Sequence, residues 1–116
     1  MWMVDTEVLC RKHLLGEHVE THMFLGTLKR KMQIYGYIKN NLLEPISLWD
    51  RHAALVKEMR IRGMNHRSPL SEADIEYLPA EVLYYQVDVE SSLEDLLSRC
   101  PECTKRYQEL QNKKEM

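Results

Sequence analysis

The chain has 116 residues, 44% of them hydrophobic and 29% charged, with a formal net charge of −2. That is enough for one domain with its own core, and too little positive charge for a broad phosphate-neutralising face, which argues against tight sequence-independent nucleic-acid binding. No apolar run approaches the roughly 18 residues of a bilayer-spanning helix; three cysteines, an odd number, with no signal-like N-terminal stretch, read as reduced thiols in a cytoplasmic protein.

The first residues, Met1-Trp2-Met3-Val4, are apolar. A bulky residue at position 2 blocks removal of the initiator methionine, so the α-amine is expected on Met1. Thr6 with Glu7 suggests a capped turn leading to Cys10.

The first helix is expected from His13 to Met32. Its N-terminal half, His13 to Phe24, lacks proline and holds three of the five histidines. At roughly 100° per residue, His13, Glu17, Glu20 and Phe24 share one face. His18 and His22 lie nearly opposite, followed by Lys29. Leu14, Leu25 and Leu28 on one flank, and Leu15, Val19 and Met23 on another, imply packing on more than one side. Lys29, Arg30 and Lys31 suit the negative end of the helix dipole. Residues 33–45 read as a connector with aromatic plugs.

Ser47 and Asp50 are expected to cap a second helix. It carries Leu48, His52, Leu55, Val56 and Met59 inward, and Gly63 marks its stop. Residues 65–69 form a loop. Ser71 with Asp74 predicts a short helix ended by Pro79, and Tyr84 and Tyr85 follow in a link. A third helix starts near Asp88 with Val89, Leu93, Leu96, Leu97 and Cys100 facing inward. Pro101 ends or kinks it. Cys103, Tyr107 and Leu110 form the stripe of a last helical stretch, and residues 111–116 a frayed charged tail. No segment alternates as a strand would. The reading is all-α: a single compact domain over residues 1–116, with three main helices plus short extra helices.

Three groups carry possible chemistry. His18 and His22, at i and i+4, could hold a metal with a third ligand such as His52 or His66. Glu20 between them is misplaced for the metalloprotease pattern, in which the glutamate follows the first histidine directly. Hydrogen-bonded or surface histidines are the expectation, with no metal and no cofactor. Cys100-Pro-Glu-Cys103 is a lone C-x-x-C. A structural zinc needs two more ligands and a redox motif needs a thioredoxin-like context, so these cysteines read as packing. Glu20, with Glu17 and His13 on its face, is a candidate acid/base group.

Taken together, His13-Leu14-x-x-Glu17-x-x-Glu20, Arg51 and Glu58, Arg62-Gly63-x-Asn65, Asp74-Ile75-x-x-Leu78-Pro79-x-Glu81 and Leu93 to Pro101 stand in an order and spacing that resembles the pyrimidine-dimer DNA glycosylase family, the endonuclease V-like enzymes. The resemblance implies a compact domain of three main helices. It implies a DNA glycosylase/AP lyase in which the N-terminal α-amine attacks C1′ and forms a Schiff base, and β-elimination nicks the strand. Its partner would be damaged or abasic duplex DNA. The catalytic residues would be Met1 and Glu20, with His13 beside them. An ordinary α-amine suits the task because its pKa of about 7.7–8.0 leaves a useful neutral fraction. Where the family's first helix has DNA-clamping arginines this chain has Val19 and Met23. Where the third helix has a basic pair it has Ser92 and Leu96. Remaining basic candidates are Arg11, Lys12, Lys29, Arg30, Lys31, Arg60, Arg62 and Arg67.

The substrate-binding candidates overall are His13, Glu17, Arg11, Arg62, His52 and His66. Two other readings compete. One is an enzyme on the same fold with a small non-DNA substrate, using the same amine–carboxylate pair or the histidines in a closed pocket lined by His13, His52 and His66. The other is a helical module binding metal through His18 and His22. Seven methionines and several aromatics leave room for a homodimer.

Overall fold

The computed structural model describes residues 1–66 and 68–114. Its longest helix, α1, spans Arg11–Lys29. It starts two residues ahead of the sequence expectation because Cys10, in an extended conformation, stands at the N-cap. It stops where Lys31 turns left-handed (φ 53°). There the Met32 N–H reaches back to the Thr27 carbonyl at 3.2 Å and the Lys31 N–H to Leu28 at 3.0 Å, a double closure of the last turn.

The same device ends two more helices. The expected connector contains a short helix, α2 (Tyr35–Lys39). Asn41 follows it at φ 60°, and the Leu42 N–H bonds to the Tyr37 carbonyl at 2.8 Å. Helix α3 spans Leu48–Ile61. Gly63 follows at φ 80°, and the Met64 N–H bonds to Met59 at 2.9 Å.

α3 buries Leu48, His52, Leu55, Val56 and Met59, as its spacing predicts. Ser47, however, makes no side-chain cap; a 3-10 turn over Pro45–Ser47 feeds the helix instead. No helix forms at Ser71–Asp74. Pro79 instead stands at the N-cap of α4, Ala80–Leu83, where its lack of an N–H costs nothing. α5 covers Val89–Arg99, and the Asp88 carboxylate accepts from the Ser91 N–H. Val89, expected inside, is 43% exposed, because it belongs to the outer side of the first turn. Pro101 opens a separate helix, α6, Pro101–Lys114. Among the described residues no strand occurs, and no helix is long and apolar enough to cross a membrane.

α1 packs along α3. Leu14 shares one apolar cluster with Leu55, Glu17 binds Arg51, and Phe24 shares a second cluster with Leu48. As numbers rise along α1 they fall along α3, so the pair is antiparallel. The first cluster joins Val4, Val8, Leu9, Cys10, Leu96, Cys100 and Cys103 to this pair; the second adds Met1, Leu28, Leu43, Leu78 and Val82. Truncating a fully buried leucine such as Leu14 or Leu55 to alanine costs about 2–5 kcal/mol in cores of this kind.

Candidate active site

Chain termini usually fray unless something ties them down. Here several elements hold the first four residues. The Met1 amine donates to the Glu20 carboxylate of α1 and, at 2.7 Å, to the Leu42 carbonyl that follows the left-handed Asn41. The Trp2 carbonyl accepts from Ser92 Oγ of α5 at 2.6 Å. The Val4 carbonyl accepts from Arg51 of α3 at 2.7 Å. The side chains of Met1 and Val4 are buried in different apolar clusters. Between these anchors Met3 is left-handed, at φ 58°, a conformation that costs a non-glycine residue free energy.

The Met1 side chain is fully buried, while Glu20 remains 35% exposed. The charged pair therefore faces outward, into a cleft of about 580 Å³. Met1, Glu20, Asn41, Ser91, Asp95 and Arg99 are among the residues that line it. Asn41 fixes one wall. Its Oδ1 accepts from Tyr85 Oη at 2.6 Å and from the Asp88 N–H at 2.8 Å. That ties the turn after α2 to the start of α5. Arg99, at the rim, is paired with Asp95 at 2.9 Å. Asn41, Leu42 and Ser92 were not singled out from the sequence as site residues; an asparagine just past a short helix was the available signal for the first.

The other expected residues lie elsewhere. Glu17, three residues before Glu20 on α1, is buried. Both its oxygens are taken by Arg51 (2.5 and 3.0 Å), and its side chain has no exposure, so it cannot reach a bound molecule. His13 lies two helical turns before Glu20, or about 10 Å along the axis. It meets Cys10 Sγ at 3.2 Å and Cys103 Sγ at 3.6 Å, and only its ring edge approaches Trp2. Arg62 is held by Glu58 and by the carbonyls of Thr6 and Leu9. With Arg11, Lys105 and Arg106 it lines a separate groove on the Cys10 side. Arg67 lies outside the described residues.

His52 and His66 join His18 and His22. The ring centroids lie 4.8–5.2 Å apart for the pairs in contact, and His18 Nε2 is 2.9 Å from His66 Nε2. Burial, and then the neighbouring imidazoles, push His18 down to about 4. The same causes lower His52. His13, His52 and His66 therefore do not form the single pocket that the small-substrate reading needs.

The fold and this site define a small all-helical domain built around an anchored N-terminal amine that contacts a carboxylate of its longest helix. The family model for pyrimidine dimer DNA glycosylase matches residues 1–72. The chain belongs to that family. Comparison with curated proteins gives no match, and neither does comparison with solved structures.

Proposed function

We propose that the protein is a DNA glycosylase/AP lyase whose nucleophile is the α-amine of Met1 and whose proton-handling group is Glu20. The observation that carries this reading is the contact between Met1 and Glu20, both of which line the cleft. Family membership supports DNA as the substrate class. A neutral amine attacks C1′ of the damaged nucleotide. The C1′–N bond breaks and the base leaves, taking a proton. Opening of the sugar ring gives an imine between Met1 N and C1′. Glu20, beside that imine, removes a proton from C2′. The C3′–O bond then breaks, the phosphate departs, and water hydrolyses the imine to free the amine. The Leu42 carbonyl orients the nitrogen through its second hydrogen bond.

Val19 and Met23 are exposed on α1 where the resemblance implies arginines, and in the cleft Arg99 is paired with Asp95, so little of this surface is cationic. Arg99 at the rim, with Asn40 and Ser91, offers the remaining phosphate contacts. Affinity that rests on few phosphate contacts falls only gently with salt. The test is borohydride trapping on duplex DNA with one abasic site, at low salt. The expected result is a covalent adduct that disappears when the α-amine is acetylated. A folded protein that yields no adduct would overturn the proposal.

A further inference from the structure

Cys10 is the N-cap of α1 and His13 is its third residue. Cys100 immediately precedes α6 and Cys103 is that helix's third residue. Two helix starts thus present the same i, i+3 pair, Cys-x-x-His and Cys-x-x-Cys, to one point. Their ligand atoms all lie within 4.8 Å of one another. Cys10 Sγ lies 3.8 Å from Cys100 Sγ, and the His13 Nδ1 contacts are 3.2 and 3.6 Å. A tetrahedron with metal–sulfur bonds of about 2.3 Å and metal–nitrogen bonds of about 2.0–2.1 Å has edges of roughly 3.8 Å between sulfurs and 3.5 Å between sulfur and nitrogen. A disulfide would bring sulfurs to about 2.05 Å. The cysteines are free and buried. Two backbone N–H groups already point at sulfur: Cys10 to Cys103 Sγ at 3.2 Å and Cys103 to Cys100 Sγ at 3.4 Å.

We propose that Cys10, His13, Cys100 and Cys103 form a structural zinc site that fastens the start of α6 to the start of α1. The four ligands close the coordination sphere, so the metal holds structure and leaves no position for substrate. The two extra ligands that Cys100-x-x-Cys103 lacks in sequence are supplied from 90 residues away.

The test uses the full chain, loaded with cobalt(II) in place of zinc. The expected result is a thiolate-to-cobalt charge-transfer band and about one zinc equivalent displacing it. His13→Ala should weaken cobalt binding about 100-fold, at the top of the roughly 10–100-fold cost known for mere outer-sphere partners. His13→Cys should restore it, because a fourth thiolate replaces the imidazole; a packing role for His13 predicts no such rescue. A folded wild-type chain with no thiolate band would overturn the site, as would a band of wild-type affinity in His13→Ala.

A second site rests on a different observation. His22 Nε2 is buried and has no hydrogen-bond partner among the described residues. Around it stand His18, one turn earlier on α1, His52 on α3 and His66 in the loop after α3, with ligand atoms within 4.8 Å of one another. Four converging imidazoles, one of them (His52 Nε2) also 3.2 Å from the Ser68 carbonyl, suit a divalent first-row cation. We infer that this cluster binds one, independently of the cysteines. Elemental analysis of wild type and of His22→Ala and His66→Ala checks it. The expected loss is one metal equivalent in each variant, with the thiolate–cobalt band unchanged. Wild-type metal content in both variants would overturn it.

Discussion

The amine of Met1 and the carboxylate of Glu20 are 19 residues apart in the chain and bonded in the fold. The contact does not come from local geometry. It exists because Met1 is buried under Phe24 and Leu28 while the backbone behind it is held by Ser92 and Arg51. Glu20→Gln keeps the hydrogen-bond acceptor and removes the base. The expected outcome is a fall in strand cleavage of about 10²–10⁴-fold, the usual share of general base catalysis, with unchanged helicity. Single-turnover cleavage of an abasic duplex measures it; wild-type rates in the variant would take Glu20 out of the mechanism.

Glu17 and Arg51 form a buried bidentate pair between two apolar clusters. Arg51→Met leaves a buried carboxylate unpaired and should destabilise the fold by about 3–5 kcal/mol. Adding Glu17→Leu should recover most of that loss, because no charge then remains. Urea denaturation of the three proteins reads this directly. A double variant no more stable than the single one would show that the pair does more than balance charge.

Asn41 combines a left-handed backbone with side-chain bonds to Tyr85 and Asp88. Asn41→Gly keeps the backbone freedom and removes the bonds, a loss of about 1–3 kcal/mol. Asn41→Ala loses both, and should be less stable than the glycine variant by a further 1–2 kcal/mol or so. Thermal melts give the ranking. Reversal of the order would show that the left-handed φ does not limit this turn.

Gly63 sits at φ 80° with open space where a Cβ would project. Gly63→Ala therefore costs only the conformational term, about 1–2 kcal/mol. Its trapping activity should match wild type, since Gly63 is remote from the cleft lining. A melt at the wild-type temperature would contradict the assignment of strain to this residue.

Much of the helical plan was legible from residue patterns. The inward face of α3, the stop at Gly63 and the helix start near Asp88 follow from local chemistry, and local chemistry is what a sequence displays. Pro79 was legible as a boundary but not as to side, since proline fits the start of a helix as well as the residue after one. The site was harder to read. Projecting α1 onto a wheel places Glu17 beside Glu20, but the wheel says nothing of Arg51, 34 residues away, which claims Glu17 entirely. The cysteines pack in the core as their spacing suggests, but what stands beside Cys100-x-x-Cys103 was not legible, because Cys10 and His13 come from another helix.

The bonds from Ser92 to Trp2 and from Cys10 to Cys103 bring the beginning of the chain against its last two helices. A chain cut before α5 would lose the Ser92 bond to the Trp2 carbonyl and the Ser91 and Arg99 wall of the cleft, leaving the Met1 amine only its Glu20 and Leu42 partners.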